Sequence, residues 1–277
     1  MDILVALLTS RDAIKLTRCI ESVLPQTSNV VVVCNTLDFS YVEQAAQVAE
    51  SYGLEFIVTE SNGNPGRGKN SVTDYFLTTD FTHLIPVDGD DILLPNAIQI
   101  LADVVESRNP DVIGLIGGNV LLNGKELPIV EWQEHEILFQ RSVDLTEPKN
   151  LKRLNLHTAK IRRIATQYGN FFNRFVLLSR KAASNINYNE ALTGAEDIKQ
   201  SLIFKCMHQE GKIQYILLNS QNVYIYDVTD VGACFAVCKC DLLMESKLFW
   251  DGITNEQINT IQSFNLECVY DQNGFQR

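Results

Sequence analysis

Short apolar runs and amphipathic stretches alternate along the first 110 residues, and this alternation constrains the fold more than any other feature. Residues 30–34 are four valines and a cysteine, a β-branched run too short for a helix. Residues 14–23 place apolar side chains at helical spacing and end before Pro25. Because the links between such segments are short, we expect parallel strands covered by helices. The sequence therefore predicts an α/β protein built on a layered sheet.

Polar loops follow four of the predicted strands, and their positions predict a functional site. They comprise residues 9–12, 35–38, 61–69 and 88–91. In open α/β sheets, ligands bind in the crevice beyond the carboxyl ends of the strands. We therefore expect these four loops to meet on one edge of the sheet and to form the site there.

The last of these loops reads Asp88-Gly89-Asp90-Asp91 and is a candidate metal site. Carboxylates two residues apart at a strand end can share one hard divalent cation, Mn²⁺ or Mg²⁺, and leave its other positions for phosphate oxygens. The pattern also suits an ordinary turn with acidic residues before a helix. Asp88 and Asp90 are the candidate metal ligands.

The loop at residues 63–70 nearly matches the phosphate-binding pattern G-x-x-x-x-G-K-[ST]. Its last position fails, because Asn70 replaces the hydroxyl residue. Arg67 or Lys69 at a helix N-terminus could still contact a phosphate. A phosphotransferase of the P-loop type therefore stays open as an alternative.

Glu196 and Asp197 are predicted to open a helix about a hundred residues after the aspartate loop. Acidic residues at this position often do no more than complement the helix dipole. The functional alternative is a general base, a carboxylate that takes a proton from an acceptor hydroxyl. Asp197 and Glu196 are the candidate catalytic residues.

Taken in order, the motifs resemble the family 2 glycosyltransferases of the GT-A fold. Those enzymes carry a similar helix segment, a loop with Arg and Asn, an aspartate segment and a late Glu-Asp pair. The corresponding segments here are S-V-L-P-Q-T at residues 22–27, G-R-G-K-N-S at 66–71, D-G-D-D-I-L-L-P at 88–95 and A-E-D at 195–197. The resemblance implies a Rossmann-like, mostly parallel sheet flanked by helices.

The resemblance also implies an inverting transfer from a nucleotide-sugar, with UDP-sugar as the expected donor. Asp197 would be the base, and Asp90 would hold Mn²⁺ or Mg²⁺ against the diphosphate. The residues expected at the nucleotide-sugar are Thr9, Arg11, Asn35, Arg67, Lys69, Asn70 and Asp88. Two positions depart from the family: Asn35 replaces the usual acid after the second strand, and Tyr226-Asp227 replaces a Tyr-Arg pair.

Charge is distributed unevenly along a chain whose formal net charge is −11. Residues 141–181 hold ten basic and two acidic side chains, so this segment is +8 and the remainder is −19. The segment predicts a polyanionic acceptor, although the cations could instead form a solvated face. The candidate acceptor-side basic patch is Lys152, Arg153, Lys160, Arg162, Arg163 and Arg174, the last beside aromatic residues such as Phe175.

Two acceptors suit such a patch. One is DNA with hydroxymethylated bases, as in the sugar-decorating enzymes of bacterial viruses, and we favour it. The other is a surface glycan or a lipid-linked carrier. The polymer-synthase signature Q-x-x-R-W is missing, which favours single transfers. A non-catalytic module that binds nucleotide or DNA remains a third class of function.

No linker divides the chain, so we predict a GT-A domain at residues 1–240 and a helical extension at 241–277. Within the domain, residues 1–122 would bind the nucleotide-sugar and residues 123–240 the acceptor. No apolar run reaches the ~20 residues of a membrane helix. The odd number of cysteines, seven, predicts a reducing cytoplasmic location. Cys234, Cys238 and Cys240 could bind metal, but no second pair at zinc spacing accompanies them.

Overall fold

The architecture consists of one large sheet with helices against its faces and one small sheet. It is seen in a computed structural model that describes residues 1–116, 118–122, 124–128, 174–192, 194, 196–227, 251–254, 256–257 and 266–270. The strands are β1 (Ile3–Thr9), β2 (Val30–Cys34), β3 (Glu55–Val58), β4 (His83–Asp88), β5 (Ile92–Leu93), β6 (Val112–Leu115), β7 (Asn119–Leu122), β8 (Lys125–Pro128), β9 (Arg174–Ser179), β10 (Tyr215–Asn219), β11 (Tyr224–Asp227) and β12 (Cys268–Tyr270). The helices are α1 (Ala13–Val23), α2 (Phe39–Ser51), α3 (Pro65–Thr78), α4 (Ala97–Arg108), α5 (Arg180–Ala183) and α6 (Glu196–Gln209).

The large sheet has the strand order β12-β10-β6-β9-β4-β1-β2-β3. Only β9 runs antiparallel to its neighbours β4 and β6, and the other pairings within this sheet are parallel. This confirms the predicted α/β class with a mostly parallel sheet. The small sheet, in the order β5-β11-β7-β8, begins at the strand directly after the aspartate loop.

Alternation along the buried strands divides the core between the two faces of the large sheet. Val5 and Leu7 of β1 belong to one apolar cluster, whereas Leu4 and Ala6 belong to the other. Successive side chains of a strand point to opposite faces, so a strand that is buried on both must be apolar throughout. This is why the four valines of β2 form a central strand with every residue buried.

Helix α1 shows how local sequence sets an element that positions the site. Its buried residues Leu16, Cys19, Ile20 and Val23 recur at the spacing of one helix face. The Asp12 carboxylate accepts hydrogen bonds from two main-chain N–H groups of the first turn, so the helix begins there. The sequence prediction of this helix is confirmed to within a residue.

The predicted C-terminal helical extension is wrong for residues 268–270. These residues form β12, which pairs in parallel with β10 at one edge of the large sheet. The sequence did not reveal this because a three-residue strand has no measurable periodicity, and its partner lies about fifty residues earlier. The boundary at residue 240 stays a prediction.

Within the described ranges, no helix is both long and apolar enough to cross a membrane. The described cysteines, Cys19, Cys34, Cys206 and Cys268, are free thiols. The cluster Cys234, Cys238 and Cys240 lies outside the described residues. The cytoplasmic location also stays a prediction.

Candidate active site

Three aspartates lie together at the carboxyl end of β4. Asp88 ends the strand, and Asp90 and Asp91 lie in the turn that leads to β5. One carboxylate oxygen from each lies within 4.8 Å of the others. A side chain at Gly89 would place its Cβ 3.1 Å from the main-chain oxygen of Leu8, so the loop needs glycine to pass this close to β1. The predicted aspartate cluster is thus formed where the sheet ends.

Asp91 anchors this cluster to the small sheet. It is fully buried, and its carboxylate accepts hydrogen bonds from the Tyr224 hydroxyl at 2.5 Å and from the Asp227 main-chain N–H at 2.9 Å. Burial raises the pKa of Asp91 well above its usual value. The sequence analysis did not single out Asp91 as a separate residue, and its role here is to hold the loop in place.

Asp227 links the same region to α1, and the sequence analysis noted it only as a departure from the family. Its carboxylate is 2.5 Å from Nη2 of Arg18 and 3.5 Å from Nζ of Lys15. Arg18 also donates from Nη2 to the main-chain oxygen of Asp90 at 2.7 Å. Lys15 and Arg18 lie three residues apart on one helix face, and this spacing was the signal that could have identified them.

The segment at residues 22–27, which begins in the last turn of α1, binds the chain that follows the aspartate loop. The Ser22 hydroxyl accepts a hydrogen bond from the Leu93 N–H at 3.2 Å. The Gln26 amide donates to the Leu94 main-chain oxygen at 3.0 Å and accepts from the Ile98 N–H at 3.2 Å. Ser22 and Gln26 therefore have a structural role, because their hydrogen bonds fix the chain that follows the aspartate cluster.

Arg174 lies among the aspartates. Its guanidinium is 2.7 Å from the Asp88 carboxylate and 3.1 Å from that of Asp91, and it stacks over the Tyr224 ring at 4.6 Å. The guanidinium is thus engaged by the cluster, a position that the basic-patch interpretation did not foresee. Phe175, which follows Arg174 in the sequence, is 4% exposed and packs within the core, so its ring is not available to stack on a base.

The other residues of the predicted basic patch cannot be compared with the structure. Lys152, Arg153, Lys160, Arg162 and Arg163 lie outside the described residues. The patch therefore stays a prediction on these five positions.

The aspartate cluster fits a divalent cation by its chemistry. Carboxylate oxygens are the ligands that Mg²⁺, Mn²⁺ and Ca²⁺ prefer. Among the described residues, no hydrogen bond or ion pair reaches the Asp90 carboxylate. Burial raises its pKa, and the negative charge of Asp88 adds to this rise. Within the described chain, the Asp90 carboxylate therefore has no ion-pair partner, whereas Asp88 is paired with Arg174, and a cation beside these two carboxylates would be stabilised.

Lys69 lies against the predicted catalytic pair. Its Nζ is 2.5 Å from the Glu196 carboxylate and 3.7 Å from that of Asp197. Glu196 is 5% exposed, and its burial raises its pKa while the charge of Lys69 opposes the rise. The exposed fraction of the Asp197 side chain is 40%, so Asp197 faces the solvent side of the pair. Lys69 is therefore committed to these carboxylates in the structure.

The glycines before Lys69 do not form a phosphate-binding loop. Helix α3 already begins at Pro65, so Gly66 and Gly68 lie inside it. A Cβ at Gly66 would lie 2.8 Å from the Asn189 main-chain oxygen, which shows that the glycine permits close packing. The P-loop alternative is wrong, because the near match reflects helix packing and not a loop that surrounds phosphate.

Arg67 and Asn70 bind a chain segment that the sequence analysis did not consider. The Asn70 amide donates to the Glu190 carboxylate at 2.9 Å and accepts from the Tyr188 N–H at 2.9 Å. Arg67 pairs with the same Glu190 carboxylate at 3.3 Å. The hydrogen bond from Asn70 is the main reason why the pKa of Glu190 is lowered. Glu190 is thus a missed residue that ties residues 188–190 to α3.

Thr9, Asn35 and Arg11 lie at the carboxyl ends of β1 and β2, as expected. Asn35 is 5% exposed, and its amide nitrogen donates to the Thr59 hydroxyl at 2.7 Å and to the Glu60 main-chain oxygen at 3.1 Å. Thr9 is also buried and hydrogen-bonds the hydroxyl of Tyr41. Arg11 is exposed, and its positive charge partly opposes the rise in the pKa of Asp90 that burial causes.

One pocket joins the two halves of the predicted site. Asp88, Lys69, Asp197 and Arg174 all line it, above an apolar floor that includes Val72. Two motifs that lie about a hundred residues apart in the chain therefore open on the same space. The pocket thus brings one carboxylate of the aspartate cluster and one of the Glu196-Asp197 pair to the same place.

The chain matches one known protein family over most of its length. Residues 11–182 match the family described as "Glycosyl transferase family 2", which is more than half of the chain. No curated protein matches the chain in sequence.

Solved structures share the fold at low sequence identity. TarS from S. aureus matches with a TM-score of 0.54 and 17% identity over 94% of this chain, which spans only 42% of that TarS chain. TarS 1–349 in complex with UDP-GlcNAc matches with a TM-score of 0.56 and 15% identity, over 95% of this chain and 70% of that one. Glucosyl-3-phosphoglycerate synthase from Mycobacterium tuberculosis matches with a TM-score of 0.56 and 11% identity, over 88% of this chain and 79% of that one. That structure contains Mn²⁺, UDP-Glc and phosphoglyceric acid. From the family match and the shared fold, the chain belongs to glycosyl transferase family 2 and is a glycosyltransferase with the GT-A fold.

Proposed function

We propose that this glycosyltransferase moves a sugar from a UDP-sugar to an acceptor hydroxyl with inversion at the anomeric carbon, in the presence of Mn²⁺ or Mg²⁺. One observation carries the proposal: Asp88 of the aspartate cluster and Asp197 of the Glu196-Asp197 pair line the same pocket. A single in-line displacement needs a leaving-group site and a base on opposite sides of the reacting carbon. The aspartate cluster would provide the first and Asp197 the second.

The aspartate cluster would hold the cation through Asp88 and Asp90. A bound divalent cation stabilises the negative charge that develops on the departing diphosphate. Asp91 would keep the loop in position, because its carboxylate is already held by Tyr224 and by the chain at Asp227. The solved relatives with UDP and Mn²⁺ or Mg²⁺ support this assignment.

Asp197 would act as the general base. Its carboxylate is the more exposed of the pair and can reach an acceptor hydroxyl, whereas Glu196 is buried against Lys69. Lys69 would orient Asp197 through their ion pair rather than bind a phosphate. Asp197 would thus take the proton while the acceptor oxygen attacks the sugar carbon.

Asn35 supports a uracil base in the donor, although it replaces the usual acid. The main-chain oxygen of Glu60 can only accept hydrogen bonds, so the Asn35 amide nitrogen must face it. This orientation leaves the side-chain oxygen of Asn35 as the group to offer a ligand. Uracil has a ring N–H that can donate a hydrogen bond to this oxygen, whereas cytosine has a hydrogen-bond acceptor at the same ring position. Thr9 and Arg11 would lie at the same end of the donor.

The proposed acceptor carries phosphate, and DNA with hydroxymethylated bases is the acceptor that we favour. Three cations of the basic segment have partners in the structure: Arg174 in the aspartate cluster, Arg180 on main-chain oxygens such as that of Thr79, and Lys181 on Asp111. The proposal therefore rests on the other seven, which lie in residues 141–163. A surface glycan or a lipid-linked carrier is the alternative.

The first experiment measures release of the nucleoside diphosphate from a panel of UDP-, GDP- and dTDP-sugars with Mn²⁺ present. We expect turnover with a UDP-sugar, and we expect Asp197→Asn and Asp90→Ala to lower it by about 10²-fold or more without unfolding the protein. Asp103→Asn is the matched control, because this exposed carboxylate on α4 accepts a hydrogen bond from Gln99 and does not line the pocket. Full turnover by Asp197→Asn would refute the assignment of the base, whereas nucleotide binding without turnover in the wild type would favour a non-catalytic binding module.

A second experiment tests the acceptor and the stereochemistry. Hydroxymethylcytosine DNA, a phosphate-bearing lipid carrier and a surface glycan are each supplied with the active donor. We expect the DNA to accelerate nucleotide release and the product to have the inverted anomeric configuration by NMR. Acceleration by the lipid or the glycan alone would refute the DNA proposal and retain the transferase.

A further inference from the structure

The guanidinium of Arg174 occupies space that a divalent cation would share. Its Nη2 is 2.7 Å from one oxygen of Asp88, and its Nη1 is 3.1 Å from one oxygen of Asp91. Those two carboxylates and that of Asp90 are also the ones whose oxygens lie within 4.8 Å of one another. A cation bound to this cluster and the guanidinium therefore compete for the same carboxylates.

The two aspartates held by Arg174 differ in how firmly they are fixed. Asp91 is fully buried and has further donors in the Tyr224 hydroxyl and the Asp227 N–H. The Asp88 side chain is partly exposed, and within the described chain its carboxylate is bonded by Arg174 alone. Asp88 is therefore the carboxylate for which the guanidinium and a metal ion compete.

Two aromatic rings contact the Arg174 guanidinium and keep it beside the aspartate cluster. Its guanidinium lies 4.6 Å from the centre of the Tyr224 ring and 5.8 Å from that of the Tyr226 ring. A planar guanidinium stacked on such rings keeps favourable contacts without a carboxylate partner. Arg174 can thus release Asp88 and still remain beside the pocket that it lines.

We propose that Arg174 is a built-in counter-ion of the aspartate cluster that competes with the divalent cation for Asp88. Metal then binds the protein weakly until an anionic nucleotide draws the guanidinium away from Asp88, so Arg174 couples metal binding to donor binding. This rests on the proposed function, because it takes the cluster as the metal site. The guanidinium would then face the negative charge of the diphosphate.

The test measures Mn²⁺ affinity directly, by the free-Mn²⁺ electron paramagnetic resonance signal, with and without UDP. We expect Arg174→Gln to bind Mn²⁺ without UDP about tenfold more tightly than the wild type, because one positive charge has left the cluster. We also expect UDP to increase the Mn²⁺ affinity of this variant by a smaller factor than that of the wild type. Lys181→Gln is the matched control, since it removes an equal charge that pairs with Asp111 away from the cluster.

Arg174→Lys serves if the glutamine variant does not fold, because a lysine cannot bridge two carboxylates as a guanidinium does. We expect its Mn²⁺ affinity without UDP to exceed that of the wild type. Equal or weaker Mn²⁺ binding by the folded variants, while the wild type binds Mn²⁺ with UDP, would overturn the role of Arg174 alone. If no protein binds Mn²⁺ even with UDP, the metal assignment in the proposed function falls as well.

Discussion

Replacing Lys69 with methionine removes the positive charge beside Glu196 while keeping the length of the side chain. The lysine Nζ is 2.5 Å from the Glu196 carboxylate, and Glu196 is 5% exposed. Removing one partner of a buried ion pair costs about 3–5 kcal/mol, because the other charge stays buried and unpaired. Since the Lys69 side chain is 17% exposed, we expect the lower end, about 3 kcal/mol of unfolding free energy at pH 8.

The loss should depend on pH in a defined direction. Burial already raises the pKa of Glu196, and the variant lacks the lysine that opposes this rise. An acid whose pKa is higher in the folded state than in the unfolded state destabilises the fold increasingly as pH rises above its unfolded pKa of about 4.3. We therefore expect the deficit of Lys69→Met to shrink as the pH is lowered from 8 towards 5.

The assay is urea unfolding of the wild type and the variant at pH 8 and pH 5. The double variant Lys69→Met with Glu196→Gln should recover most of the loss at pH 8, because the buried charge is gone. Lys212→Met is the control: its exposed pair with Glu210 should be worth less than about 1 kcal/mol. A Lys69→Met variant as stable as the wild type at pH 8, or a deficit that is equal at both pH values, would refute the reasoning.

Three further predictions concern packing, the aspartate loop and the metal. Gly66→Ala should lower the unfolding free energy, measured by urea unfolding, by about 1–3 kcal/mol, because the added Cβ meets the rigid main chain at Asn189. Gly68→Ala should lower it by less, because its added Cβ faces a flexible leucine side chain. Tyr224→Phe should cost about 1–3 kcal/mol, measured in the same way, because the buried Asp91 carboxylate loses a donor. EDTA should abolish sugar transfer, and added Mn²⁺ should restore it; transfer that persists in EDTA would contradict the metal assignment.

Local patterns in the sequence predicted the first half of the fold because they are dictated by burial. A strand buried on both faces must be apolar throughout, as at Val30–Cys34, and a helix on a sheet must repeat its apolar residues, as at Ala13–Val23. Motif order then predicted the aspartate loop and the Glu196-Asp197 pair, since loops after parallel strands meet at one edge. The glycines before Lys69 left a P-loop open as an alternative, because close helix packing and phosphate binding both use glycine.

Local sequence patterns were thus sufficient to predict the α/β class, the aspartate motif and the sheet edge at which the candidate site lies. Only the tertiary structure decided which charges meet: Arg174 with Asp88, and Arg18 with Asp227 more than two hundred residues away. It also decided the antiparallel direction of β9 and the strand at Cys268–Tyr270. The physical reason is that periodicity reports which face of a segment is buried, whereas ion pairs and strand neighbours depend on how distant segments are brought together.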